Sequence, residues 1–297
     1  MSKHTDLDFP VFSNHFVQGL PGDPIRENFC RQVSGSAYSR VAPTPVSAPR
    51  LLALNEELAI HLGFGKLVNN PDRLADILSG NQLLPGMEPY AMAYGGHQFG
   101  HWAGQLGDGR AINLGEVRDA QGQHQTLQLK GAGPTPYSRQ ADGRAVLRSS
   151  LREYLCSEAM AALGVPTTRA LSLVGTGDSV VRDMFYDGHP EAEAGAIVCR
   201  VAPSFIRFGS FELPASRGDV ELLKQLLHFV IHHTSLDLAG ALATSKTSGQ
   251  FRQVYLDWFA GVCRDSQHMV LQWMRTGFVH GVMNTDNFNI TGETFDF

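Results

Sequence analysis

His280-Gly-Val-Met-Asn-Thr-Asp286-Asn287, with Asp296 nine residues beyond Asn287, is the stretch on which the reading of this sequence turns. Asn287 and Asp296 offer an amide oxygen and a carboxylate, the hard donors that suit Mg2+. Asp286, beside Asn287, offers a carboxylate able to take a proton from an attacking hydroxyl. The bland alternative is a tight turn, which Asn284, Asp286 and Asn287 would favour in any protein. The residues upstream decide between the two.

Immediately before this stretch, Val220–His233 and Phe251–Phe278 read as helices, the second with a break. Further back, Arg200 and Arg207 flank Val-Ala-Pro-Ser-Phe-Ile. Near a cleft, two such arginines hold polyphosphate bidentately; in isolation they read as surface salt bridges. Arg144–Leu163 reads as a long helix stopped by Gly164 and Pro166, with Glu153 on its better-defined face and Glu158 as a competing carboxylate. Lys130 ends an alternating strand, Thr126–Lys130, which follows the strand Arg110–Val117 across the turn Asp119-Ala-Gln-Gly-Gln-His. Further strand-like segments lie at Ala170–Val174, Ser179–Asp183 and Ala196–Val201, and Leu51–Leu62 reads as a helix.

A strand-end lysine followed by a helical glutamate is how kinase-like folds fix a cation for phosphate and hold it in place. Gly107-Asp-Gly109-Arg110 adds two glycines that let backbone N–H groups approach a phosphate, and a guanidinium fork for its oxygens. Alone, that tetrapeptide is an ordinary hairpin turn and Lys130 an ordinary surface lysine. In sequence with Asn287 and Asp296 they follow the order of a kinase-like catalytic machine, HxD-x4-N and then a metal-binding Asp. His280 and Asn287 stand in that relation. Val282 occupies the place of the usual base and cannot accept a proton, which leaves Asp286 as the substitute.

The chain therefore runs from β-rich to α-rich with a helix among the strands, the order of an α+β, protein-kinase-like bilobal fold. The expected divisions are an extended N-terminal arm at 1–50, a β-rich nucleotide-binding region at 51–212, and the start of a helical lobe with the catalytic loop at 213–297. Its 297 residues leave room for two lobes around a cleft. With 43% hydrophobic and 18% charged residues the composition is that of a globular protein, and a net charge of −5 gives no general affinity for nucleic acid or anionic membrane. No apolar run approaches the roughly 18 residues that span a bilayer. The polar start Met1-Ser-Lys-His-Thr-Asp-Leu-Asp resembles no leader peptide. Cys30, Cys156, Cys199 and Cys263 lie far apart, which argues for free thiols and a cytoplasmic setting. His97/His101 and His228/His232 are spaced by four, but neither pair has a clear third ligand, so packing or surface roles outweigh a zinc site.

Five long stretches carry a resemblance: Tyr94-Gly-Gly-His-Gln-Phe-Gly-His-Trp-Ala-Gly-Gln-Leu-Gly-Asp-Gly-Arg110, Leu127-Gln-Leu-Lys-Gly-Ala-Gly-Pro-Thr-Pro-Tyr-Ser-Arg139, Asp142-Gly-Arg-Ala-Val-Leu-Arg-Ser-Ser-Leu-Arg-Glu153, Arg200-Val-Ala-Pro-Ser-Phe-Ile-Arg-Phe-Gly-Ser-Phe-Glu212 and His280 to Asn287. From about Phe16 onward the sequence resembles the selenoprotein O family, kinase-fold protein adenylyltransferases. The resemblance implies that ATP binds flipped relative to ordinary kinases and that AMP moves to Ser, Thr or Tyr hydroxyls of other proteins. It implies nucleotide binding by Gly107, Gly109, Arg110, Lys130, Asp142, Gly143, Arg200 and Arg207, and a Glu153 that positions Lys130. Asp286 would be the proton acceptor, and Asn287 and Asp296 would hold Mg2+ or Mn2+. Family members continue well past the metal-binding Asp, so a chain ending at Phe297 is expected to carry an incomplete helical lobe with exposed apolar surface. Two other readings share the residues. One is a conventional phosphotransferase in which Asp286 activates a hydroxyl towards the γ-phosphate. The other is a non-catalytic nucleotide-binding pseudokinase, to which Val282 points; the retained cation and metal set favours an enzyme.

Overall fold

The alternation read at 110–130 closes into a hairpin at the centre of the molecule, and the sheet grows outward from it. The computed structural model describes residues 9–185 and 187–297. The polar segment 1–8, read above as no leader, lies outside the described residues. In chain order the elements are α1 (His15–Gly19), β1 (Tyr38–Arg40), β2 (Arg50–Leu54), α2 (Glu56–His61), α3 (Pro71–Ser79), β3 (Tyr90–Met92), β4 (Gly95–Gln98), β5 (His101–Gln105), β6 (Ala111–Arg118), β7 (His124–Lys130), α4 (Leu147–Ala162), β8 (Arg169–Arg182), β9 (Glu191–Ala202), α5 (Phe208–Ser216), α6 (Val220–Thr234), α7 (Leu236–Thr244) and α8 (Ser248–Thr276).

Seven strands form one antiparallel sheet in the order β1-β3-β6-β7-β9-β8-β2, and β4 and β5 form a separate hairpin. The turn between β6 and β7 is closed by Asp119, whose Oδ1 accepts from the N–H of Gln121 and Gln123 at 2.9 and 2.8 Å. Strand alternation then sorts the two faces of the sheet. Ile112, Leu114, Leu127, Leu129, Ile197, Cys199 and Val201 face a core shared with Leu58 and Leu62, from α2 and the residue after it, and with Leu74, Ile77 and Leu78 of α3. Gln128 and Lys130 fall on the opposite face, and the register sets Gln128 against Arg200 of β9. Helix α4 packs over β8 and β9, which brings Glu153 above these polar residues.

Several expectations are revised. The first part of Leu51–Leu62 is strand: Arg50–Leu54 pairs with the edge of β8, and the helix begins only after Asn55, whose side chain caps the Leu58 N–H. A run of leucines satisfies a helical stripe or a buried strand equally, and the open edge of β8 decides. The two segments at 170–174 and 179–183 are one strand, β8, irregular between Gly175 and Ser179. The break expected in Phe251–Phe278 is absent: α8 runs unbroken from its Thr247 cap to Gly277, which ends it at φ 72°. Residues 9–50 contribute Phe16, Leu20, Val33, Tyr38 and Val46 to the buried cores. No described helix is long and apolar enough to cross a membrane. All four cysteines are free thiols.

Candidate active site

The polar face of β7 and β9, the loop 131–143 and the segment 286–297 enclose a cleft of about 710 Å³. Eight cationic side chains line it (Arg110, Lys130, Arg139, Arg144, Arg152, Arg182, Arg200 and Arg207) against four carboxylates, Asp108, Asp142, Asp286 and Asp296. A chain of net charge −5 thus presents a strongly positive cavity, and low-dielectric walls focus that charge on an anionic ligand.

At its floor is a four-member ionic cluster. Lys130 Nζ donates to Glu153 Oε2 at 2.5 Å and to Asp296 Oδ1 at 2.7 Å. Arg200 bridges the same two carboxylates, and its third nitrogen donates to Gln128 Oε1 at 3.1 Å. Arg207 Nη1 lies 3.6 Å from Asp296 Oδ2, its guanidinium packed between the rings of Tyr94 and Phe295 at 4.4 and 4.6 Å. Burial alone would raise the Asp296 carboxyl, but Arg200, Lys130 and Arg207 outweigh it and hold it well below the ordinary carboxylate range. Glu153 is likewise lowered, burial being overcome by Arg200 and Lys130. Lys130 is itself lowered, by burial and by the charge of Arg200 against the pull of the two carboxylates. Glu158, the competing partner in the sequence, pairs instead with Arg169 at 2.7 Å.

Asp286 and Asn287 sit in a 3-10 turn, Thr285–Asn287. Arg207 Nη1 donates to the Asp286 carbonyl at 2.8 Å, and Gln98 Nε2 donates to Asp286 Oδ2 at 2.8 Å. Asp286 Oδ1 is buried and has no hydrogen-bond partner among the described residues. Asn287 Nδ2 donates to the Val282 carbonyl at 3.0 Å. His280 lies 3.0 Å from the Phe295 carbonyl through Nε2 and stacks on Trp273 at 5.5 Å, which ties this loop to the residue preceding Asp296. Asp296 adopts φ 62°, a left-handed conformation that costs a non-glycine residue about 1–2 kcal/mol. The ion pairs offset that strain and aim the carboxylate at the cations.

The glycine turn belongs to the same wall. Gly107 takes φ 80°, and a Cβ there would lie 2.4 Å from the Tyr137 ring; at Gly109 it would lie 3.0 Å from the Tyr137 carbonyl. Asp108 between them is buried, accepts from the Met92 N–H at 3.0 Å and faces Arg207 at 3.3 Å. Burial pushes its carboxyl up, with Arg207 opposing. Arg110 is exposed at the cleft wall. Asp142 pairs through both oxygens with Arg182 at 2.7 and 2.8 Å. Gly143, at φ 69°, packs so closely that a Cβ would fall 2.2 Å from the Gly133 carbonyl carbon. All twelve residues singled out in the sequence (Gly107, Gly109, Arg110, Lys130, Asp142, Gly143, Glu153, Arg200, Arg207, Asp286, Asn287 and Asp296) thus border or underlie one cleft. Lys130 and Arg200 each pair with Glu153 and Asp296, and Arg207 approaches Asp296, whereas Asp142 and Gly143 stand at the rim.

The sequence reading missed Asp108, Gln98 and the rim arginines Arg139, Arg144, Arg152 and Arg182. Asp108 is flanked by the two glycines it shares a turn with; Arg139 and Arg144 share the loop before α4, Arg152 lies on α4 and Arg182 ends β8, and no spacing in the chain marks them as one group. The histidine pairs do other things: His97 Nδ1 lies 3.0 Å from Glu212, and His228 bonds Tyr255 at 2.6 Å.

The sequence model of the family described as protein adenylyltransferase SelO matches residues 27–297. Among similar proteins, the protein nucleotidyltransferase YdiU of Azoarcus sp. (strain BH72) is 62% identical over 287 residues, covering 97% of this chain and 54% of its own length. That of Aromatoleum aromaticum is 60% identical over 291 residues, with the same shares. That of Xanthomonas euvesicatoria pv. vesicatoria is 62% identical over 286 residues, covering 96% and 53%. The chain spans about half the length of the curated relatives it matches. By these matches the chain belongs to the SelO family of protein adenylyltransferases.

Proposed function

We propose that this chain carries the nucleotide- and metal-binding part of a protein adenylyltransferase of kinase-like fold, with an arm at 1–50, a nucleotide-binding region at 51–212 and the beginning of a helical lobe at 213–297. It moves AMP from ATP to Ser, Thr or Tyr hydroxyls of proteins. The observation that carries this reading is the cationic cluster on the cleft floor, Lys130 and Arg200 clamped by Glu153 and Asp296, beside a buried Asp286 oxygen with no partner.

In this reading the triphosphate lies against Lys130, Arg110, Arg200 and Arg207, with the turn Gly107–Gly109 and the rim at Asp142–Gly143 closing around it. Asn287 and Asp296 are the residues for Mg2+ or Mn2+: both supply oxygen donors, and the Asn287 amide, bonded through nitrogen to Val282, keeps its oxygen for the metal. A bound divalent ion would neutralise phosphate charge as it develops. Glu153 holds Lys130 and Arg200 fixed, so no reorganisation is needed as the reaction proceeds. Asp286 Oδ1 takes the proton of the acceptor hydroxyl. The acceptor oxygen bonds the α-phosphorus, the bond from that phosphorus to the bridging oxygen breaks, and pyrophosphate leaves. Val282 stands where an ordinary kinase keeps its base, so proton removal falls to Asp286.

Intact-protein mass spectrometry after incubation with ATP and Mg2+ tests the reading. An AMP adduct on the protein or on an added acceptor, with pyrophosphate released, is expected. A phosphate adduct would identify a phosphotransferase instead, and no adduct would favour a nucleotide-binding role.

A further inference from the structure

Three consecutive residues of the β4–β5 hairpin address three consecutive residues of the loop that carries Asp286. The His97 N–H donates to Thr285 Oγ1 at 2.7 Å, Gln98 Nε2 to Asp286 Oδ2 at 2.8 Å, and the Phe99 N–H to Asn284 Oδ1 at 3.2 Å. The hairpin is itself anchored. Thr285 Oγ1 donates to Glu212 Oε2 at 2.5 Å, and Glu212 Oε1 lies 3.0 Å from His97 Nδ1. Gly209 of α5 lies so close to β4 that a Cβ there would fall 2.0 Å from the Gly95 carbonyl oxygen. Phe99 takes φ 52° at the tip, a conformation that a non-glycine residue keeps only where its surroundings fix it.

An aspartate side chain turns readily about its last torsion, so its two oxygens exchange places unless one is fixed. Here the Gln98 amide fixes Oδ2. Oδ1 remains buried and without a partner among the described residues, a condition that costs stability because a desolvated acceptor goes unpaired. A buried acceptor kept open at that cost is matched to an incoming O–H. Gly96 keeps the space around it: a Cβ there would stand 3.0 Å from both Asp286 Cβ and Oδ1.

We propose that Gln98 is a positioning residue for proton transfer: by holding Asp286 Oδ2 it presents Oδ1 to the hydroxyl of the acceptor protein. This rests on the adenylyltransferase reading above. In the step so arranged, the hydroxyl proton passes to Oδ1 while the hydroxyl oxygen bonds the α-phosphorus and pyrophosphate departs. Gln98 neither gains nor loses a proton.

The test uses Gln98→Met, which keeps the length but removes the donor, and Gln98→Lys, which restores an N–H donor at similar reach. Gln98→Met is expected to lower kcat for AMP transfer about tenfold or more, the scale on which orientation errors act, with KM for ATP unchanged. Gln98→Lys should recover most of the loss. Full activity in Gln98→Met, or equal loss in both variants, overturns the proposal. A second measurement does not need turnover: the side-chain amide resonance of Gln98 in a 15N spectrum, identified by its absence in Gln98→Met, should move when Asp286 is replaced in Asp286→Asn. An unmoved resonance rules out the contact. If the unsubstituted protein transfers no AMP, the adenylyltransferase reading falls and the positioning role with it, while the amide resonance still reports whether the contact exists.

Discussion

Lys130 Nζ lies 2.7 Å from Asp296 Oδ1, although 166 positions separate them in the chain. The contact joins the end of a central strand to the segment after the loop that carries Asp286, and Arg200 closes the same contact from the neighbouring strand. The cation that would meet phosphate and the carboxylate that would meet metal therefore hold one another in place.

Asp296→Asn keeps the shape and removes the charge, leaving Lys130, Arg200 and Arg207 short of a counterion in a buried setting. Breaking a buried pair from one side costs about 3–5 kcal/mol. A lowered midpoint in urea denaturation, by a corresponding amount, is expected; an unchanged midpoint would mean that the ionic cluster does not hold the fold together.

Glu153→Gln should raise KM for ATP about tenfold, because Lys130 and Arg200 both lose the carboxylate that orients them. Glu158→Gln, which disturbs the pairing with Arg169 and the contacts with Asn55 and the Ala170 N–H, should leave KM near its original value. Comparison of the two variants by steady-state kinetics separates the carboxylates that the sequence alone left in competition.

Acid stability follows from the same cluster. Asp296 and Glu153 titrate below their ordinary values of 3.8 and 4.5 in the folded protein. Their contribution is fully present above those values and is lost as pH falls through the lower folded ones. Below about pH 4 the Tm of the protein should fall steeply, and that of Asp296→Asn less steeply. Glu293 behaves oppositely: burial raises its carboxyl from 4.5 to about 8. Its charged form opposes folding, so stability declines as pH rises from 4.5 towards 8, and Glu293→Gln should remove that decline. Tm measured across pH 3–9 checks both signs.

Gly96→Ala places a methyl 2.9 Å from Leu106 Cδ1 and 3.0 Å from the Asp286 carboxylate. AMP transfer should fall at least tenfold while ATP still binds, since the loop moves but the cationic floor does not. Loss of ATP binding, read by calorimetry, would contradict the separation of the two parts.

Much of this arrangement was legible in the sequence, and the reasons differ by residue. Lys130 could be placed because Leu127 and Leu129 alternate with it on a strand, and Glu153 because it lies on the face of a well-bounded helix. Asn287 and Asp296 were marked by their spacing from His280. The strand at Arg50–Leu54 was not legible, because its apolar run fits a helix until the β8 edge claims it. Nor was Gln98, whose role depends on a hairpin that meets a loop nearly 190 residues away. The rim arginines are scattered through the chain, and only tertiary packing gathers them.

Incubation of the protein with Mg2+ and either [α-32P]ATP or [γ-32P]ATP, alongside Asp286→Ala and Asp296→Ala, separates AMP transfer from phosphate transfer. Protein-bound label is expected from the α-phosphate alone, abolished in both variants. Label from the γ-phosphate, or α-label that survives Asp286→Ala undiminished, would contradict that expectation.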